Sequence, residues 1–160
     1  MHRSAIATAA SFVVAFGFVT SVGAQSVRSA SFVANCSLSG DADRVFCETR
    51  TVALAPSANL RIDGRQNGGI TVHAWDNSQF QVVAMVQAHS DTPADAQAIA
   101  GGINVTANDG EIRADGPSTN GNRESWSVSY EVWAPRHTAL SLVAMNGGIS
   151  VDGMDAAMTM

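Results

Sequence analysis

The sequence predicts an all-β protein with a β-solenoid-like repeat of strands joined by Gly-Gly turns, and one short helix near residues 93–100. Three observations lead to this prediction: a turn-and-strand phrase that occurs three times, alternation of apolar residues in the segments between turns, and one segment with helix-capping residues. The phrases are Asn67-Gly68-Gly69-Ile70-Thr71-Val72, Ala100-Gly101-Gly102-Ile103-Asn104-Val105 and Asn146-Gly147-Gly148-Ile149-Ser150-Val151.

Each phrase joins a Gly pair to an apolar-x-apolar triplet. A Gly pair supplies backbone angles that other residues rarely adopt, and the triplet alternates like a strand with one buried face. We therefore predict that each phrase is a structural turn leading into a strand. The spacings of 33 and 46 residues are too unequal for a strict solenoid period.

The first 24 residues have the pattern of a signal peptide. Arg3 precedes an apolar run over residues 5–19, and Val22-Gly23-Ala24 is a small-residue cleavage pattern. We predict cleavage before Gln25 and export to the periplasm or the cell surface, with no membrane insertion afterwards. An uncleaved membrane anchor is the alternative, because residues 5–24 are nearly long enough to span a bilayer.

The remaining chain, about 136 residues, has the length of one domain. We divide it into an N-terminal disulfide-containing segment, residues 25–50, and a β-strand repeat domain, residues 51–160. Cys36 and Cys47 have ten residues between them, and in an exported protein they are expected to form a disulfide worth about 2 to 3 kcal/mol. A redox or zinc pair is the alternative, but the two-residue spacing and a nearby His are missing.

The charge balance excludes one class of partner. All nine basic residues are Arg, so removal of Arg3 with the leader leaves eight cations against fourteen Asp and Glu. A net charge near −6 argues against a nucleic-acid or anionic-membrane surface.

Strands are predicted over residues 51–54, 60–62, 70–75 and 80–88 in the first half of the mature chain. The strand over 70–75 alternates, with Ile70, Val72 and Ala74 on one face and Thr71, His73 and Trp75 on the other. These strands are expected to bury one face each.

The helix is predicted over residues 93–100. Asp91 or Thr92 can cap it, Pro93 fits the first turn, and Gly101 ends it. The middle Gly-Gly phrase departs from the other two here, because Ala100 replaces the Asn and a helix precedes it. The alternative for this copy is therefore a helix cap instead of a repeat turn.

The second half of the chain predicts a hairpin and two further strands. Asn108-Asp109-Gly110 is a tight-turn sequence, so a hairpin is expected around it. Residues 125–133 alternate most regularly, and residues 140–145 lead into the third phrase. In the alternating strand, Trp126, Val128, Tyr130 and Val132 face one way, and Ser127, Ser129 and Glu131 face the other.

The pattern stops at Met160 soon after the third phrase. A repeat that ends without a polar cap leaves an open edge and an uncovered core. We therefore expect the chain to be truncated at its C-terminus, as a piece of a longer protein.

These residues resemble a family, the bacterial envelope β-strand repeat proteins labelled putative adhesin, a domain of unknown function. The resemblance runs from about residue 45 to the end and is carried by Arg65–Asp76, Trp126–Arg136 and Asn146–Val151. It implies an N-terminal leader, a β-solenoid with Asn-Gly-Gly turns and an envelope location. It implies no catalytic residue.

No catalytic, cofactor-binding or metal-ligating residue is assigned from the sequence. His73, Asp76 and His89 are conceivable metal ligands, and Asp41 with Asp43 resembles half of a calcium loop, but both sets are more typical of polar surface residues. For a polysaccharide-cleaving enzyme, the nominees are Asp63, Asp76, Glu131 and Arg136.

The interpretation that we carry forward is an exported binding or adhesin-like scaffold without catalysis. Its partner is an envelope protein or a glycan, and Trp75, Trp133 and Arg136 are the predicted binding surface. Alternatively, the two Trp side chains pack under the N-terminal segment or against the helix. A periplasmic structural or stress-sensing role beside a membrane protein is the other functional alternative.

Overall fold

The computed structural model describes residues 44–64, 68–119 and 123–160. Within these ranges the chain forms two five-stranded sheets around one apolar core, with one helix. The prediction of a mostly β protein with one short helix is confirmed. The strands are β1 (Val45–Val52), β2 (Asn59–Gly64), β3 (Ile70–Trp75), β4 (Gln81–His89), β5 (Asn104–Asn108), β6 (Glu111–Asp115), β7 (Ser125–Pro135), β8 (Ala139–Ala144), β9 (Ile149–Asp152) and β10 (Met158–Thr159), and the helix is α1 (Pro93–Gly101).

Both sheets are mixed. The first sheet has the strand order β1-β4-β7-β3-β9, and the second has the order β10-β8-β2-β6-β5. β4 is antiparallel to β1 and β7, and β5 is antiparallel to β6, whereas the other neighbours are parallel. The antiparallel strands therefore lie together at one end of the molecule.

Three strand pairs share one construction. In each, a strand of the second sheet is followed in the chain by a strand of the first sheet, and we call such a unit a coil: β2–β3, β6–β7 and β8–β9. The β2–β3 coil lies between the other two, because β2 pairs with β6 and β8 while β3 pairs with β7 and β9. The parallel registers stack equivalent residues of the three coils.

Rows of inward side chains form the core. In the first sheet, Val82, Val132, Val72 and Val151 occupy one row across four strands. The second sheet contributes a similar row, in which Ile62 lies between Ile112 and Leu142. Full burial of each such side chain is worth about 1.5 to 3 kcal/mol.

The strand β7 differs from its prediction in one respect. Its predicted apolar face is buried, but Glu131 and Trp133 on the opposite face are also only 6% and 4% exposed. β7 is the middle strand of the first sheet, so side chains of β3 and β4 flank both of its faces. In β7 the alternation of apolar and polar residues therefore does not predict which side chains are exposed to solvent.

Two glycines of the outer phrases are required by close approach of the stacked coils. A Cβ at Gly68 would lie 1.8 Å from the carbonyl oxygen of Val128, and one at Gly147 would lie 2.0 Å from that of Gly68. Positive φ is not the reason, since among the described glycines only Gly110 and Gly153 adopt it. Asn67 lies outside the described residues.

The middle phrase is the end of the predicted helix and leads into a strand, so it is a helix cap and not a turn between two strands like the outer phrases. Gly101 is the last residue of α1, and the backbone N–H of Gly102 donates to the carbonyl oxygens of Ala98 (3.1 Å) and Ile99 (3.0 Å). The chain then enters β5, which forms the predicted hairpin with β6. The hairpin turn contains Asp109 (φ 49°) and Gly110 (φ 77°), as a type I′ turn requires.

The helix α1 begins and packs as its sequence indicates. Thr92 is the N-cap, and its hydroxyl accepts a hydrogen bond from the backbone N–H of Asp95 at 3.2 Å. At the other end, Arg50 of β1 donates to the carbonyl oxygens of Ala100 (2.8 Å) and Ile103 (2.5 Å). A cation at a helix C-terminus is stabilised by the helix dipole, so Arg50 fixes the helix to the first sheet.

Two further observations concern the ends of the chain and the membrane. β1 spans residues 50 and 51, where we divide the N-terminal segment from the repeat domain. Cys36 and the leader lie outside the described residues, so the Cys36–Cys47 disulfide and the cleavage site stay predictions. The described part of the chain holds no helix of the length and apolarity needed to span a bilayer.

Candidate binding surface

Trp75, Trp133 and Arg136 lie at one corner of the first sheet, where β3 pairs with the end of β7. Trp133 is 4% exposed and stacks on His73, with the ring centroids 5.4 Å apart. The His73 Nε2 lies 3.3 Å from Glu131 Oε1. Trp133 therefore offers no open ring to a ligand.

The other two residues of this corner are held by neighbouring loops. The indole N–H of Trp75 donates to the carbonyl oxygen of Gln79 at 2.8 Å, and Trp75 is half-buried. The guanidinium of Arg136 donates to the Gly153 carbonyl oxygen at 2.8 Å and to Asp76 at 3.1 Å. These bonds tie the bend after β9 to the end of β3, so the corner is built as a structural joint.

The four residues nominated for catalysis do not converge. Asp76 and Arg136 form an ion pair with each other, whereas Asp63 is on the second sheet and Glu131 on the first. His89 pairs with Val45 and Ser125 at the far end of β4, distant along the strand from the His73 row. No group of three potential metal ligands occurs within the described ranges, and Asp41 and Asp43 lie outside them.

A row of polar side chains crosses the outer face of the second sheet. β2, β6 and β8 bury Leu60, Ile112 and Leu142 on the inner face, so the alternate residues point outward. The register aligns one outward residue from each of the five strands. This polar row is Asn108, Glu111, Arg61, Ser141 and Thr159.

Two cavities lie along the polar row. One, of about 340 Å³, extends from Arg61 and Glu111 to Ser141 and Thr159, and the other, of about 320 Å³, extends from Glu111 towards Thr106 and Arg113. Glu111 lines both cavities, and so does Asp109 in the hairpin turn. Because they share these two residues, the cavities are neighbours along the row, and we call the pair of them the groove.

The hairpin turn is held over this groove by backbone contacts. The backbone N–H of Arg61 donates to the Gly110 carbonyl oxygen at 2.7 Å. A Cβ at Gly110 would lie 2.5 Å from the carbonyl oxygen of Asn59, so only glycine allows the turn to approach β2 so closely. The Asp109 carboxylate is consequently positioned beside the polar row.

The charges of this face are paired. Arg61 Nε lies 3.4 Å from Glu111 Oε1, and Arg113 Nη2 lies 3.0 Å from Asp115 Oδ2. All four side chains are about half exposed, so the pairs contribute at most about 1 kcal/mol each to stability. Their donors and acceptors remain accessible to a ligand.

The sequence contains part of the signal for this surface. Alternation places Arg61, Glu111 and Ser141 on the polar faces of their strands, but the three lie on segments far apart in the chain. Only the strand order and the register bring them into one row. The prediction placed the binding surface on the first sheet because it followed the Trp residues.

Tyr130 is a buried polar residue on β7, in the first sheet. Its side chain is 1% exposed, and no described residue forms a hydrogen bond with its hydroxyl. Burial raises the pKa of Tyr130 well above its ordinary value, and the negative charges of Asp63 and Asp115 raise it further. The hydroxyl therefore carries a desolvation cost that a hydrogen bond does not offset.

Tyr130→Phe is expected to increase the free energy of unfolding by about 1 kcal/mol at pH 7, because it removes this buried hydroxyl. Above about pH 10 the unfolded chain loses the Tyr proton while the folded protein keeps it, so the wild type is destabilised by up to about 1.4 kcal/mol per pH unit. Tyr130 is the single Tyr of the sequence and there is no Lys, so no other Tyr or Lys side chain titrates in this pH range. Urea unfolding at pH 7 and pH 11 should therefore show the alkaline loss in the wild type and not in the variant; equal losses would contradict the assignment.

Comparison with known proteins gives structural similarity only. No family model and no curated protein matches the sequence. A putative adhesin from Parabacteroides distasonis aligns with 67% of this chain and 39% of its own, at 11% identity and a TM-score of 0.43. A putative lipid binding protein from the same species (70% and 46%, 10% identity, TM-score 0.43) and a putative adhesin from Bacteroides fragilis (70% and 49%, 15% identity, TM-score 0.40) align similarly.

The chain spans less than half of the length of each of these three proteins. The names of the structures agree with the adhesin label that the sequence resemblance suggested. At these identities and TM-scores, the similarity carries no argument about ligand or activity.

Proposed function

We propose that this protein is an exported, non-catalytic binding scaffold of the bacterial cell envelope, and that it binds through the outer face of its second sheet. The observation that carries the proposal is the polar row, which crosses five hydrogen-bonded strands in register and is accompanied by a groove. A row of this kind presents many hydrogen-bonding groups on one rigid surface. Such a surface can bind a ligand without catalytic groups.

The repeated coils support a solenoid-type construction for the scaffold. Each coil adds one strand to each sheet, and the stacked glycines Gly68 and Gly147 let the bends follow one another closely. The surface grows by one strand with each coil, which suits an extended ligand. Rigidity follows from the buried rows beneath it.

Export and the class of partner are supported by the sequence. The leader over residues 1–24 and the acidic balance favour an envelope location over a nucleic-acid partner. On the second sheet, Arg61 and Arg113 are each paired with a carboxylate, which also disfavours a polyanionic partner. An envelope glycan or an envelope protein remains the proposed partner.

The proposal is tested by co-sedimentation with protein-free bacterial sacculi, with the protein recovered from the cell after expression with its leader. The double variant Arg61→Ala/Arg113→Ala is expected to weaken retention about tenfold, since about 1.4 kcal/mol of ligand contacts is removed. Arg123→Ala is the matched control, because Arg123 is 77% exposed and pairs with Asp91 away from the row.

Two results would contradict the proposal. Retention of the wild type that is undiminished in the double variant would exclude this face as the surface that binds the sacculus. Recovery of the expressed protein in the cytoplasmic fraction, with the leader intact, would exclude export.

A further inference from the structure

The polar row has the dimensions of an extended ligand. Neighbouring strands lie about 4.8 Å apart, so the five positions from Asn108 to Thr159 span about 19 Å. The step between strands is close to the length of one sugar unit in an extended glycan. The row is therefore long enough for one sugar unit at each strand.

The chemistry of the row favours hydroxyl groups. Asn108, Arg61, Ser141 and Thr159 supply donors, while Glu111 and Asp109 supply acceptors. A hydroxyl both donates and accepts, so a chain of hydroxyl groups can satisfy both kinds of partner. An anionic ligand would have to compete with Glu111 for the Arg61 guanidinium.

An extended peptide fits this face less well. Peptides that bind to sheets use the unpaired backbone groups of an edge strand. On β2, β6 and β8 the backbone groups are already paired with neighbouring strands, so the face offers side chains only. This distinction separates a glycan on the face from a peptide on an edge.

We infer that the polar row binds a neutral linear glycan laid across the strands of the second sheet, with one sugar unit at each strand. This inference rests on the proposed function and specifies its ligand class. Glu111 and Asp109 accept hydrogen bonds from sugar hydroxyls, and Arg61 and Asn108 donate to them. The rim of the groove at Ser141 and Thr159 binds the end of the glycan.

The test is calorimetric titration of the protein with defined oligosaccharides. Cellohexaose, xylohexaose and N-acetylchitohexaose are the neutral probes, and hexagalacturonate and hexaglucosamine are the charged ones. At least one neutral series is expected to bind, with affinity that increases from the disaccharide to the pentasaccharide and then stays constant. Because the ligand is uncharged, the affinity should change little between 50 mM and 500 mM NaCl.

Variants locate the site. Arg61→Ala and Glu111→Ala are each expected to raise the Kd about tenfold, which corresponds to about 1.4 kcal/mol. Both side chains are about half exposed, so their removal should leave the thermal unfolding midpoint nearly unchanged. Arg123→Ala is expected to keep the wild-type Kd.

Several outcomes would overturn the inference. These are the absence of binding to every neutral probe, preferential binding of a charged probe, and an unchanged Kd in Arg61→Ala. Loss of glycan binding in Trp75→Ala with normal binding in Arg61→Ala would move the site to the first sheet. If the sacculi retain the wild-type protein more strongly than Arg61→Ala/Arg113→Ala while no neutral probe binds, the inferred ligand class is wrong and the proposed function stands.

Discussion

Replacement of Gly68 or Gly147 by alanine is expected to destabilise the protein by about 3 kcal/mol or more. The new Cβ would lie within 2.0 Å of a backbone carbonyl oxygen of the adjacent coil. The coils would have to separate by more than 1 Å, roughly, at this bend, which strains the hydrogen bonds beside it. These are the bonds from the backbone N–H of Tyr130 to the Gly69 oxygen (2.8 Å) and from that of Ile70 to the Gly148 oxygen (2.9 Å).

A matched control exists inside the same phrase. A Cβ at Gly148 meets nothing within 4 Å, so Gly148→Ala should change the free energy of unfolding by less than about 0.5 kcal/mol. Urea unfolding followed by circular dichroism gives the comparison. If Gly147→Ala and Gly148→Ala unfold at the same urea concentration, the stacking of Gly147 on Gly68 is incorrect.

Ile62→Ala is expected to cost about 2 to 5 kcal/mol, the range observed when a large buried aliphatic side chain is removed. Ile62 is fully buried and lies between Ile112 and Leu142 in the core row of the second sheet. Strands on both sides hold this row in register, so the cavity cannot close without moving two neighbouring strands.

Val143→Ala is the control for this substitution. Val143 lies on β8, the strand next to Ile62, but on the outer face, where it is 44% exposed. Its truncation should cost less than about 0.5 kcal/mol. Comparable losses for Ile62→Ala and Val143→Ala, measured from thermal and urea unfolding, would contradict the burial of Ile62, and a larger loss for Val143→Ala would mean that the two faces are reversed.

The local elements of the fold were predictable from the sequence. The helix after Thr92, the hairpin at Asp109 and Gly110, and the strand over residues 70–75 depend on capping, turn and alternation patterns, and all three are confirmed. Each of these patterns depends on interactions between residues a few positions apart, so the local sequence is sufficient to predict it.

The arrangement of the strands could not be predicted in the same way. Nothing local to residues 59–64 indicates that β2 pairs with both β6 and β8. The Gly-Gly phrases show the same difference, since the helix end at Gly101 was predictable from local residues, whereas the stacking of Gly68 and Gly147 between coils was not. Identical residue pairs serve different purposes because their long-range neighbours differ.

The candidate site was missed for a related reason. Trp75 and Trp133 attract attention in the sequence, but Trp133 is buried against His73. Arg61, Glu111 and Ser141 are ordinary polar residues until the register aligns them. A surface composed of one residue from each strand leaves no contiguous motif.

The central position of the β2–β3 coil has a kinetic consequence. The parallel partners of β2 lie far along the sequence, since Arg61 pairs with Glu111 on β6 and with Ser141 on β8. Folds dominated by such sequence-distant pairing form slowly, in milliseconds to seconds. The pairing of β2 with β6 and β8 is therefore expected to form only after most of the chain has been synthesised.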